Sequence, residues 1–187
     1  MSAAGDTVRP GPGTASVVVN FAAFQAGWFA CVLSAAHGAP WMGTLTAAAI
    51  VAFHTGRAVR PLEELKLIGV ALLMGIVCDS LLFSAGWLDF KSGVMVPGMA
   101  PHWILAMWAL FATTLNVSLA WVKGRLVIGA VLGAVAGPLA YWGGARLNAV
   151  VLADPVPALV ALAVVWALAT PLLALAARRY DGISGAR

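Results

Sequence analysis

Charge is what this sequence has least of. Of its 187 residues, 10% are charged and 62% are hydrophobic. A water-exposed surface needs far more charge than that, so a soluble fold is excluded. Acidic groups are scarcest, with 7 Asp and Glu against 11 Lys and Arg. The 2 cysteines, Cys31 and Cys78, lie inside apolar stretches without matched spacing, so neither a disulfide framework nor a thiolate metal site is expected. The 3 histidines, His37, His54 and His102, never fall at i, i+4 spacing. No acidic residue joins them in a zinc pattern, and only a tertiary convergence of His37, His102 and Asp79 would make a metal site. A nucleophile elbow, a phosphate loop and a dinucleotide fingerprint are all missing, so no catalytic residue and no cofactor is assigned.

What is present is apolar length. Six stretches are read as membrane helices: Ser16–Ala36, Pro40–His54, Leu65–Ala85, His102–Trp121, Leu126–Arg146 and Val156–Ala177. A helix rises about 1.5 Å per residue, so roughly 20 residues cross the hydrocarbon. The second is the shortest and needs Ala39 through Gly56 to reach across. The predicted fold is an all-α polytopic bundle of six transmembrane helices (15–178). A cytoplasmic tail (1–14) precedes it and a short tail (179–187) follows.

Charge placement orients the bundle. With the amino terminus inside, the cytoplasmic side holds Arg9, Arg57, Arg60, Lys66, Lys123, Arg125, Arg178, Arg179 and Arg187. The far side holds Lys91 and Arg146. Such a positive-inside bias predicts a multi-pass membrane protein with both termini cytoplasmic. The net charge of +4 reads as topology and contact with anionic headgroups; no concentrated basic patch suggests nucleic acid. The first apolar stretch exceeds a signal-peptide core, so cleavage is not expected.

Packing signals follow. Gly129, Gly133 and Gly137 recur every fourth residue in the fifth stretch, a small-residue stripe that lets another backbone approach. Packing within the monomer is the favoured reading and a homodimer seam the alternative. Pro138 and Pro171 each remove a helical donor and predict kinks. The segment Gly86–Pro101 is unusually apolar for a loop; it is read as interfacial, with a lid over the bundle as the alternative.

Asp79 is the most telling polar residue. It sits roughly 10 Å below the outer end of its helix, where a carboxylate needs a partner or a proton. Arg146 is the expected partner. A second, amide-rich group comprises Asn20 and Gln25 in the first stretch with Thr113, Asn116 and Ser118 in the fourth. These serve as interhelical hydrogen bonds or as ligand contacts.

Several segments resemble a known family. They are Asn20 to Val32, Cys78-Asp79-Ser80, Phe111 to Trp121 and Gly137 to Leu147. Together they resemble the small bacterial inner-membrane proteins of the domain of unknown function numbered twenty-eight seventy-eight, over roughly Asn20 to Arg178. The resemblance implies a multi-span bacterial membrane protein without an assigned reaction. It also implies an association with acyl-chain modification, because genes for such enzymes tend to lie nearby. The expected function is therefore to bind or handle an amphipathic lipid-like molecule in support of membrane-lipid modification. Asp79, Arg146 and His102 would meet its head, with Asn20, Gln25, Thr113 and Asn116 as further candidates. Membrane lipids, and with them lipid-modifying enzymes, are the expected partners. A small-solute transporter, or the substrate-binding subunit of one, and a structural partner of lipid enzymes are the alternatives.

Overall fold

The computed structural model describes residues 12–184. Most of the expected first tail (1–14) therefore lies outside the described residues, whereas 179–184 of the second tail is described. The described residues form six α-helices: α1 (Thr14–Ala36), α2 (Pro40–Arg57), α3 (Pro61–Ser84), α4 (His102–Leu115), α5 (Leu126–Arg146) and α6 (Pro155–Arg179). Two short strands, β1 (Leu88–Phe90) and β2 (Val150–Leu152), pair antiparallel, Asp89 opposite Val151.

Local sequence explains the helix ends. Pro40, Pro61 and Pro155 occupy first-turn positions, where a missing N–H costs nothing. Glu63 and Glu64 stand in the first turn of α3, and Arg178 and Arg179 in the last turn of α6, each matching the local end of the helix dipole. The ends of α1, α3 and α5 share one cap. Gly38, Gly86 and Asn148 turn left-handed, with φ near 74° in the glycines and 73° in Asn148. The next amide then bonds five residues back: Ala39 to Ser34, Trp87 to Leu82 and Ala149 to Gly144.

The helix α4 is the axis of the molecule. It packs against α1, α2, α3 and α6, and ten of its fourteen residues are buried. By contrast α5 rests chiefly on α6. There the glycine stripe lies inward: a Cβ at Gly133 would stand 2.1 Å from the Trp166 carbonyl oxygen, and one at Gly137 would stand 2.2 Å from the Trp166 ring. The stripe is thus filled by α6 of the same chain.

Several expectations need correction. The fourth stretch does not continue as helix to Trp121; α4 stops at Leu115 and turns lead to a single 3-10 turn at Ala120–Val122. Its polar side chains compete with the helix. Thr113 and Thr114 donate to the carbonyls of Leu110 and Phe111, and the Leu119 amide closes on Thr114. The second stretch runs past His54 to Arg57, and the third begins four residues early, at Pro61. The segment Gly86–Pro101 carries β1, and its Leu88, Phe90 and Ala100 are buried in the core.

Four helices, α1, α3, α5 and α6, are long and apolar enough to cross a bilayer. Of the others, α2 is the least apolar of the six and α4 has 14 residues. The bundle has two chemically different ends. Lys91 and Arg146 belong to the ribbon end, beside β1 and β2. Arg57, Arg60, Lys66, Lys123, Arg125, Arg178 and Arg179 belong to the opposite, basic end.

Candidate functional site

Helical periodicity along α3 places Glu64, Ile68, Ala71, Gly75, Asp79 and Leu82 on one buried face. Two carboxylates therefore point into the bundle, fifteen residues or roughly 22 Å apart along the axis. Gly75 leaves room for the Trp108 ring, which a Cβ there would meet at 2.4 Å. One turn on, Asp79 accepts the Trp108 indole N–H at 2.6 Å. Its other oxygen accepts the Tyr141 hydroxyl, which reaches in from α5. Arg146 is exposed at the end of α5 and is not a partner of Asp79. The expected pair is replaced by two neutral donors, because the buried face of α5 presents Tyr141 and the arginine lies beyond it.

Glu64, which is not among the residues expected at a site, is fully buried. Its carboxylate meets His54 Nε2 at 2.7 Å, and accepts Asn116 Nδ2 at 2.6 Å and the Gly182 amide at 2.8 Å. Asn116 also donates to the Tyr180 carbonyl at 3.0 Å. The segment after α6 is thereby strapped across the basic end. Arg60 holds the Asp181 carbonyl, and Lys123 holds the Asp181 carboxylate at 2.7 Å. Burial raises the Asp181 carboxyl, but hydrogen bonds from Lys123 and Ser184 outweigh it and leave the group below its usual value. The signal for Glu64 was in the sequence: it continues the α3 stripe of Asp79.

The remaining candidates are dispersed. Asn20 donates to the Thr113 carbonyl at 3.1 Å and accepts the Ser118 hydroxyl at 2.6 Å, tying α1 to the end of α4. The Thr113 hydroxyl is turned onto its own helix. His102 pairs with the Thr44 hydroxyl at 2.7 Å and stacks on Trp41 with centroids 4.0 Å apart. His37 stays on its own helix, against the Leu33 carbonyl. Asp79, Arg146 and His102 thus have no partner in common. Among the described residues no three His, Cys, Asp or Glu side chains gather to hold a metal ion.

Gln25 differs. It lines a groove of about 430 Å³ between α1 and α5, with α4 and α6 as its floor. Phe21, Phe24, Trp28, Phe111 and Trp166 supply aromatic walls, and Trp28 approaches Gly143 on the facing helix. The volume falls within the roughly 300–1,000 Å³ typical of small-molecule sites. Among the described residues the Gln25 amide has no hydrogen-bond partner. Two residues that line the groove, Trp166 and Thr170, carry buried polar atoms, Nε1 and Oγ1, that also have no partner among the described residues. Among the described residues, polar groups are left unanswered beside the groove and at Asn116 Oδ1 next to Glu64, but not around Asp79.

Residues 17–172, well over half of the chain, match the family described as Protein of unknown function (DUF2878), and the chain belongs to that family. Membership is consistent with a small bacterial multi-pass inner-membrane protein. No curated protein and no solved structure matches the chain.

Proposed function

We propose that this protein takes up an amphipathic, lipid-like molecule sideways from the bilayer, into the groove between α1 and α5. The observation that carries this reading is Gln25. An amide without a partner in apolar surroundings costs roughly 2–7 kcal/mol. Here it lies midway along a helix apolar enough to cross the bilayer, and it lines a groove walled by aromatic rings. A ligand with a polar end would answer the amide, while its apolar part lies against Phe24, Trp28 and Phe111. In this role the protein holds or presents a lipid-like substrate to enzymes that modify membrane lipids.

In this reading all six helices cross the inner membrane, α2 and α4 included, with the basic end and both termini in the cytoplasm. Burial among four neighbours lets α4 be short, because it needs little lipid-facing surface of its own. The seven cations of the basic end favour that side as cytoplasmic. Reporter fusions at each terminus test the orientation, and a periplasmic signal from either would refute it.

The ligand is tested by mass spectrometry of the protein purified in mild detergent. A defined lipid-like adduct is expected on the wild type. Ala136→Trp fills the groove from an exposed position of its wall and should remove the adduct while leaving the helical content intact. Equal adducts on both proteins would defeat the proposal.

A further inference from the structure

The polar groups of the groove also constrain what kind of polar end it takes. Among its lining residues there is no Lys, Arg, His, Asp or Glu. A phosphate or a free carboxylate brought to this depth would therefore meet no countercharge, and burying an unpaired charge is far costlier than burying a neutral dipole. The hydroxyls of Ser118 and Thr114 already donate, to Asn20 Oδ1 and to the Phe111 carbonyl, both at 2.6 Å. Three donors are left: the Gln25 amide, the Trp166 indole N–H and the Thr170 hydroxyl. The indole nitrogen donates only. Thr170 is 1% exposed and its hydroxyl lies against Gly133, so a ligand reaches it by the side chain turning toward the groove.

From this we infer that the ligand is a neutral lipid whose polar end carries a carbonyl, and that Trp166 and Thr170 recognise it. The inference rests on the groove being the binding site, and it names the chemistry the site selects. Two sources share that chemistry: a ring carbonyl on an isoprenoid tail, as in a quinone, and the ester carbonyls of an uncharged glyceride. Aromatic walls suit either. Trp166 sits near the midpoint of α6, its ring stacked on Trp108 with centroids 4.5 Å apart and edge-on to Phe111. Its orientation is fixed by packing, so the indole donor is in place before any ligand arrives.

The test incubates purified full-length protein with four probes: decylubiquinone, dioleoylglycerol, dioleoylphosphatidylglycerol and palmitate. Retention is read by native mass spectrometry, beside the thermal midpoint. Decylubiquinone, dioleoylglycerol or both should be retained over the two anionic probes, and which one is held identifies the source. Trp166→Phe and Thr170→Val should each weaken that retention about tenfold, the loss of one hydrogen bond. Thr170→Val should do so without lowering the thermal midpoint, since the hydroxyl has no partner among the described residues. Preferential retention of an anionic probe, unaffected by either substitution but abolished by Ala136→Trp, would overturn the inference and leave the groove as the site. Retention of none of the four would overturn the inference. If Ala136→Trp also left the adducts of the purified protein unchanged, the groove itself would fall with it.

Discussion

Along the buried face of α3, Glu64 and Asp79 are surrounded by protein donors, whereas across the groove the polar groups of Gln25, Trp166 and Thr170 meet no partner among the described residues. Both regions place polar atoms in an apolar bundle, and both occur among helices long enough to span a bilayer. What separates them is how far the central group is answered, although beside Glu64 the Asn116 Oδ1 acceptor is also buried without a partner among the described residues. Glu64 accepts from a histidine, an amide and a backbone N–H drawn from three other parts of the chain. A carboxylate enclosed that fully has little left to offer a ligand. Groups without a partner beside a groove keep their hydrogen-bonding capacity for one. Within a membrane protein a costly polar residue is thus a poor guide to a binding site until its partners are known.

The sharpest way to break this contrast is to remove Glu64. Glu64→Ala would leave His54 and the Gly182 amide without this acceptor and Asn116 with the Tyr180 carbonyl alone, and each buried donor left unsatisfied costs about 1–3 kcal/mol. Against a total stability of about 5–15 kcal/mol this should appear as lost yield or a large fall in thermal midpoint. Asp79→Asn keeps one acceptor oxygen, and only one of Trp108 and Tyr141 loses its partner. A smaller fall is expected there, about 1–3 kcal/mol. If Asp79→Asn left stability untouched but removed a bound lipid, the carboxylate would be a ligand contact and the contrast between the two regions would fail.

An intermediate effect concerns the strap over Glu64. The Asp181 carboxyl is held below its usual value of about 3.9, with Lys123 and Ser184 favouring its charged form against the cost of burial. A depressed carboxyl contributes stability that is fully present above the unfolded value and is lost as pH falls through the lower folded value. Protection of the backbone amides of Gly182, Ile183 and Ser184 from hydrogen exchange should therefore hold steady between pH 5 and pH 8. It should decline only below about pH 4. Loss of protection near pH 6 would show that a different group controls the strap.

Much of the bundle was legible because apolar length and proline or glycine punctuation are local. The fifth stretch matches α5 at both ends, Leu126 and Arg146. Where side chains outside the stretch decide, legibility ends. The overrun from Leu115 to Trp121 came from reading hydropathy past Thr113, Thr114 and Asn116, whose hydrogen bonds stop the helix. The ribbon was not visible, because strands of three residues give no alternation to read. As for the site, the α3 stripe joining Glu64 to Asp79 follows from period alone. Their partners do not: Trp108 is 29 residues from Asp79 in sequence, and Tyr141 is 62. Charge attraction suggested Arg146 instead, and only the packing of α5 shows that its buried face carries a phenol. Gln25 was selected for its polarity, but nothing in sequence told its open amide from the saturated one of Asn20.

The smallest effect on stability is also the most discriminating. Replacing Thr170 by Val exchanges a hydroxyl for a methyl of similar shape. For a hydroxyl that is hydrogen-bonded in the fold, such a change costs about 1 kcal/mol. Thr170 Oγ1 is buried with no partner among the described residues, facing Gly133, where a Cβ would stand 2.4 Å away. Removing an unsatisfied hydroxyl removes a desolvation cost, so the ligand-free protein should unfold at the same temperature or slightly higher. Asn20→Leu is the matched comparison, because it deletes bonds to Thr113 and Ser118. It should lower the midpoint while sparing the donors on the groove. A stabilised Thr170 variant and a destabilised Asn20 variant would confirm that the two kinds of polar group differ as the contacts indicate. Equal losses in both would mean that Thr170 has a structural partner, and the groove would then hold one fewer donor for a ligand.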